Sequence, residues 1–429
     1  MRRLAARAVR HGRVGSGADF RRLWLATSVS ELGTQVSQLA IPLAAISLLH
    51  ATALEVGVLA AAGYLPLALF GLPAGAWVDR VRRRRVLMAT DLSRAVVLAS
   101  IPIAHAFGNL TIGQLYVVAL LVGSLSVFFD VAYASYLPSL VQRADLARGN
   151  SRLQVSEQGA AMVGPGLAGW LIGFAGAPLA IAADAASYLG SAFFVSRIRH
   201  REAPPATAPS QPDLRTQIAE GLRFVFRDRY LRGIAIAASL INFFGRMMVV
   251  VLPLYLVRSV GYSPAAIGVV FAVGAVGFLL GAGFADRVTA ALGIGLTIVI
   301  GGTVAAAALM LLAIPPASIA GPFIAAGMFI YGIGALNFTV ANATLRQLTT
   351  PQKLLGRTTA SMRFLVWVAQ PLAALLAGVI AFRIGLRATL WIGAIGALSA
   401  PAVLLSAGLV TVHQETSVDP PQTSATDSQ

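Results

Sequence analysis

The chain reads as an all-α membrane protein of twelve transmembrane helices, six in each of two repeated halves, and three observations predict it. It has 429 residues, 57% of them hydrophobic and only 12% charged, more apolar surface than a soluble core encloses. Apolar runs long enough to cross a hydrocarbon core fall at 21–49, 54–78, 85–107, 112–138, 154–175, 178–198, 231–257, 264–286, 293–314, 319–345, 360–382 and 387–410. Finally, the Asp79-Arg80 pair that closes one apolar run returns 207 residues later as Asp286-Arg287.

The repeat extends beyond that dipeptide. Leu72 to Val81 aligns with Leu279 to Val288, with identity at Leu, Asp, Arg and Val. Pro42-Leu43 matches Pro253-Leu254 at an offset of 211, and Gly164-Pro165 matches Gln370-Pro371 at 206. A shared offset near half the chain marks an internal duplication.

In order, the chain divides into a basic tail (1–20), a first six-helix bundle (21–199), a linker (200–230), a second six-helix bundle (231–410) and a polar tail (411–429) expected to be disordered. The apolar segment behind the basic tail is longer than a signal-peptide core, so the first span is read as retained. Within the linker, the Pro-rich stretch 203–212 separates the halves. Leu214, Ile218, Leu222 and Val225 then recur at helical spacing, which predicts an amphipathic helix on the membrane surface. Arg and Lys residues number twenty-eight on the face shared by both termini and three on the opposite face. That asymmetry puts the termini and the linker in the cytoplasm.

The formal charge of +16 follows from this topology, and nucleic acid is not expected as a partner. There is no Cys, which removes disulfides, thiolate metal sites and cysteine nucleophiles. The five His lie in tails or at predicted helix ends, away from the midplane where a proton relay would run. No Gly-x4-Gly-Lys-Ser/Thr occurs, so the energy for any transport comes from an ion gradient or the substrate itself.

Gly75, Asp79, Arg80, Arg83 and Arg84 match the Gly-x3-Asp-Arg/Lys-x-Gly-Arg-Arg/Lys signature between spans two and three of the major facilitator superfamily, with Arg82 where the signature has Gly. Phe129-Asp130 running to Leu137-Pro138, Asp184 to Tyr188, Leu345-Arg346-Gln347-Leu348 and Leu355-Gly356-Arg357 resemble its drug, macrolide and siderophore exporter branch. The resemblance covers essentially the whole chain. It implies two parallel-repeat six-helix bundles that rock around a central cavity lined by spans one, four, seven and ten.

Ionisable side chains inside a bilayer cost at least about 2.5 kcal/mol, so the few present here are informative. In span one, Ser28, Glu31, Gln35 and Gln38 form a polar stripe. Glu31 lies about 15 Å along the helix, near the midplane. A carboxylate there can bind and release a proton as the cavity alternates, because burial disfavours its charged form; the alternative is a hydrogen-bonded packing contact. The repeat maps Glu31 onto Asn242 and Gln35 onto Arg246. Arg246 is therefore expected to hold Glu31 or an anionic substrate group, or else a backbone carbonyl. Tyr116, Tyr133, Tyr331, Asn337 and Asn342 are further cavity candidates, with packing and interface anchoring as the alternatives.

By the resemblance, Asp79, Arg83 and Asp130 form a cytoplasmic gate between spans two and four, with a weaker counterpart at Asp286-Arg287. The alternative for Arg82 to Arg85 is topology marking alone. Asp91 and Arg94 are expected to pair locally and extend the gate, and Asp184 is expected in structural pairing. In span five, Gly164, Pro165 and Gly169 resemble the antiporter motif and suit a sliding, bending contact; ordinary small-residue packing is the alternative.

The expectation is a proton-coupled antiporter of the cell membrane, exporting a bulky, largely apolar small molecule. Its partners are the substrate, protons and the lipid bilayer; it acts as a monomer without a cofactor and is not an enzyme. A secondary importer or facilitator of a polar metabolite is the first alternative. A transport-inactive receptor or scaffold is the second.

Overall fold

The computed structural model describes residues 17–71, 73–142, 145–200, 202, 214–314 and 319–411. Both tails and the Pro-rich part of the linker lie outside the described residues. Everything regular among the described residues is helical.

Before the linker run α1 (Ala18–Leu48), α2 (Ala53–Phe70), the short α3 (Pro73–Val78), α4 (Arg83–Ala106), α5 (Ile112–Leu140), α6 (Leu146–Ala175) and α7 (Ala177–Ser196). After it come α8 (Leu214–Arg227), α9 (Arg229–Tyr255) continued by a π turn, α10 (Pro264–Leu292), α11 (Ile294–Ala308), α12 (Met310–Ala313), α13 (Ala320–Thr349), α14 (Gln352–Ile384), α15 (Leu386–Ala397) and α16 (Ser399–Ser406). Among the described residues, ten helical segments are long and apolar enough to cross a membrane. The long helices α1 and α6 are less apolar: α1 carries the polar stripe, and α6 opens with Arg148, Arg152, Gln154 and Glu157.

The boundaries differ from the sequence reading where helices outrun the hydrocarbon. α6 begins at Leu146 and α14 at Gln352, about two turns ahead of the apolar runs at 154 and 360. The second span is interrupted where Gly71 closes α2 and Pro73, which lacks an N–H, opens α3. α2 itself starts with a capping box in which Thr52 and Glu55 satisfy each other's backbone amides.

The repeat is visible in packing. α1 packs on α6 and α7, and α9 on α14 and α15; α2 packs on α5, and α10 on α13. The two sets of helices meet along α2 with α14 and α6 with α10. α8 does not lie free on a surface: Val225 is buried in a core with α9, and Gly221 sits against the Arg357 carbonyl of α14 at a distance of 2.6 Å from a built Cβ.

Three hydrophobic cores result among the described residues, and their placement is uneven. At the end away from the arginine run, one continuous core takes in Leu43, Leu59, Leu98, Leu115 and Ile181 together with Leu252, Ile267, Leu312, Ile324 and Leu390. At the basic end there are two separate cores. One gathers Leu23, Leu87, Phe129 and Tyr136 before the linker; the other gathers Leu231, Ile298, Phe338 and Leu404 after it.

Candidate functional site

α1 carries the polar stripe beside α6, against which Gln35 packs. Gln35 donates from Nε2 to Glu31 Oε1 at 3.1 Å, and both are half-buried, while Gln38 is exposed. Gln35 packs directly over Gly164 of α6, where a Cβ would come within 3.0 Å of its Cγ. Five residues on, Gly169 faces the other way: its Cβ would lie 2.7 Å from both the Gly268 Cα and the Pro264 carbonyl of α10. The candidate antiporter segment therefore touches the Glu31 column with one glycine and the other half of the chain with the next, and Pro165 offers its carbonyl to Gly268. A counterpart crossing joins α2 to α14, where a Cβ on Gly57 would stand 2.6 Å from Gly378 Cα.

Arg246 does not pair with Glu31. Its Nη1 donates to Tyr64 Oη of α2 at 2.6 Å, with the guanidinium 4.4 Å from the Tyr64 ring centre. This is a bond between the two halves, and no carboxylate lies within ion-pair distance of Arg246 among the described residues. Tyr331 stands nearby: its hydroxyl is 3.5 Å from a Cβ built on Gly245, and its ring packs edge-on to Phe278.

The amides fare differently from the expectation. Asn242 and Asn337 donate to their own helices, to Ala238 O at 2.8 Å and Ile333 O at 2.9 Å. Asn337 is buried, and both Asn337 and Asn342 keep a buried Oδ1 without a partner among the described residues. An amide N–H in an apolar helix bonds the carbonyl of the preceding turn when no partner faces it.

At the basic end Arg83 reaches Asp79 at 3.2 Å, as expected. Asp130 does not join them. It makes no ion pair among the described residues and lies within electrostatic reach of Arg94, Glu31 and Glu157, so it belongs with the α1 column. Arg84 turns inward, donating to the Val195 and Ser196 carbonyls at 3.2 and 2.5 Å where α7 ends. The amides of Arg83 and Arg84 both donate to the Glu202 carboxylate at 2.7 Å, an acidic cap on the start of α4. Arg82 occupies the preceding position with φ −65° and ψ 117°, an extended conformation that needs no glycine. A Cβ on Gly75 would meet open space. Arg80, Asp286 and Arg287 are exposed and form no ion pair among the described residues.

The residue that sequence reasoning undervalued is Arg94. It pairs with Asp91 at 2.5 Å, donates to Ser126 at 3.3 Å, and lies between the rings of Phe129 and Tyr188 at 4.3 and 4.1 Å. Ser191 donates to the other Asp91 oxygen at 2.7 Å. This cluster is buried in the bundle and is not an extension of the gate. The available signal was that two motif segments, around Phe129 and from Asp184 to Tyr188, both supply its cage. Asp184 is buried against α1, where Gly33 leaves it room, and accepts from Ser187 at 3.1 Å. Tyr64 and Glu202 carried no sequence signal, since neither stands in a pattern.

A model of the Major Facilitator Superfamily matches residues 23–369 and 235–427. The chain is 32% identical over 375 residues to the multidrug efflux pump Tap of Mycolicibacterium fortuitum, covering 85% of this chain and 88% of that one. It is 29% identical to the Tap pump of Mycobacterium tuberculosis over 85% and 87% of the two chains. Among solved structures it resembles the nucleoside transporter NupG (TM-score 0.70, 13% identity, 91% of this chain and 98% of that one). It also resembles a bacterial homologue of the iron transporter ferroportin in an inward-facing state (TM-score 0.70, 16% identity, 92% and 98%).

Proposed function

We propose that this chain, which belongs to the major facilitator superfamily, exports a bulky, largely apolar small molecule from the cell in exchange for protons. As a member of that family it is a multi-pass membrane transporter and not an enzyme. Twelve spans in two six-helix halves, related by the sequence repeat, make up the transporter. The matched packing of α1, α6 and α7 with α9, α14 and α15 supports that arrangement. Both termini face the cytoplasm of a plasma-membrane monomer, on the arginine asymmetry.

The observation that carries the reading is the uneven core. One core fuses the halves at one end, while two separate cores part them at the basic end. With the basic end cytoplasmic, the space between them opens inward, where an exporter collects its cargo. Similarity to Tap efflux pumps over most of both chains supports the outward direction.

Within that space we assign the proton to Glu31, whose hydrogen bond comes from the neutral amide of Gln35, and substrate contact to Gln35, Gln38, Arg246, Tyr64 and Tyr331. Arg246 is held by a neutral phenol across the halves, so a substrate acceptor group can displace Tyr64 and loosen the link. Alternating access then carries the cavity past the two glycine crossings, Gly57 with Gly378 and Gly169 with Gly268, where the backbones touch. Asp79 and Arg83 serve as the cytoplasmic gate.

Growth inhibition by a drug panel tests this, with and without expression and with and without an uncoupler. Protection that disappears with the uncoupler is expected, and Glu31→Gln should lower proton-driven efflux in vesicles at least tenfold. Protection by no compound overturns the export reading; unchanged efflux in Glu31→Gln overturns the assignment of the proton.

A further inference from the structure

A cleft of about 520 Å³ opens between the end of α2 and the first turns of α14, lined by Gly71, Gln352, Thr359, Arg363 and Trp367 among others. Its lining contains no acid among the described residues. Arg363 is exposed and has neither a hydrogen bond nor an ion pair among the described residues. Arg346 of α13 is within electrostatic reach of it. Its Nη1 finds only the Met362 sulfur at 3.7 Å, and its Nε is buried without a partner among the described residues. Glu220, the carboxylate that α8 brings to this stretch of α14, is already bound to Arg357. Arg363 thus stands in the cleft wall without an ion-pair partner among the described residues, six residues past the Leu355-Gly356-Arg357 segment, with Arg346 outside the lining.

The depth of the cleft identifies what can neutralise it. α14 has 33 residues, about 50 Å at the helical rise, against a hydrocarbon thickness of about 30 Å. Its apolar run starts near residue 360, so its first two turns stand outside the hydrocarbon. Arg363 therefore sits at the boundary between headgroups and acyl chains, with the Trp367 ring one turn deeper. Basic pockets between helices at the cytoplasmic boundary suit phosphate headgroups, and an aromatic ring one turn below suits the glycerol and upper acyl region.

We infer that this cleft binds one anionic phospholipid of the inner leaflet, its phosphate held by Arg363 in the cleft wall and its glycerol region against Trp367, with Arg346 behind the wall adding positive field. The inference rests on the proposed orientation, with the basic end cytoplasmic, and is independent of the substrate and of proton coupling.

Native mass spectrometry of the full-length protein, released from detergent containing equal phosphatidylglycerol and phosphatidylcholine, tests it without any transport measurement. One retained phosphatidylglycerol is expected. Arg363→Gln should lower its retention about fivefold, Arg346→Gln should lower it less, Arg363→Lys should keep it, and Arg223→Gln, an exposed arginine on α8, should leave it unchanged. Phosphatidylglycerol brominated on its acyl chains should quench a share of the tryptophan fluorescence that Trp367→Phe removes, a readout that does not depend on the arginine variants folding. Equal retention of both lipids, or equal retention by Arg363→Gln, overturns the site. Displacement of the lipid by equimolar glycerol phosphate overturns the lipid as its ligand and leaves a soluble phosphate in its place.

Discussion

The two halves of the chain share an architecture and are held together by different means. Before the linker the helices are joined by buried charge: Asp91, Arg94 and Asp184 are all in the core, with Ser191 and Tyr188 completing the cluster. After it the buried polar residues among those described are uncharged, Thr297, Asn337, Thr350, Thr358, Ser361 and Thr389, and the helices close on glycine without buried charge. A Cβ on Gly332 of α13 would stand 2.6 Å from the Gly274 carbonyl and the Phe278 amide, and one on Gly334 would stand 2.6 Å from the Ala305 amide. In lipid, where apolar surface gives helices no reason to prefer each other over acyl chains, polar bonds and close backbone approach are the available forces. The contrast teaches that helices on both sides of the linker use close backbone approach, as at Gly123 against the Gly63 carbonyl, while buried charge is added only before it among the described residues.

The largest effect expected from breaking this contrast comes from Arg94→Met. It leaves Asp91 as an uncompensated buried charge, a loss of about 3–5 kcal/mol. Thermal unfolding in detergent should show it, and the Asp91→Asn/Arg94→Met double variant should regain most of the loss. Unfolding of Arg94→Met at the parent temperature would remove charge as the adhesive of the first half. Next comes Gly332→Ala, which forces backbones apart and should cost about 1–3 kcal/mol; Gly75→Ala, which meets open space, is the matched control and should cost little.

A smaller effect is expected from Tyr64→Phe, which keeps the ring beneath Arg246 and removes the hydrogen bond between halves, worth roughly 0.5–1.5 kcal/mol. Because the chain has no Cys, pairs of introduced cysteines report helix distances without background. They should show the basic end more often closed in this variant; an unchanged distribution would mean that the Arg246–Tyr64 bond does not bias the two states. Smallest is Arg83→Gln. Its ion pair with Asp79 is partly exposed, so stability should change by about 0–1 kcal/mol, and a larger change would make the pair a structural member of the first half instead of a gate.

The sequence displayed the helices well and their partners poorly. Glu31 and Gln35 were legible because a 3.6-residue period puts polar groups on one helical face, and the structure brings them together. The Arg246 site was legible in position but not in partner: the repeat set its depth, while the choice of Tyr64 over Glu31 depends on how α2 approaches α9. Asp130 shows the same limit. One turn in a helix directs a side chain toward a loop or a cavity, and the motif around it carries no such direction. Asn242 was expected in the cavity from the repeat and Asn337 from its residue type, and each donates its amide N–H to its own helix.

Hydropathy determined by itself that this is a helical, multi-pass membrane protein, because insertion into a bilayer depends on length and polarity that can be read residue by residue. Only the tertiary structure decided that Arg94 is the caged centre of the first half, that Arg246 bridges to Tyr64, and that one end is fused while the other is split. Those outcomes depend on which faces of different helices meet, and contacts between residues more than a hundred positions apart leave no period in the sequence.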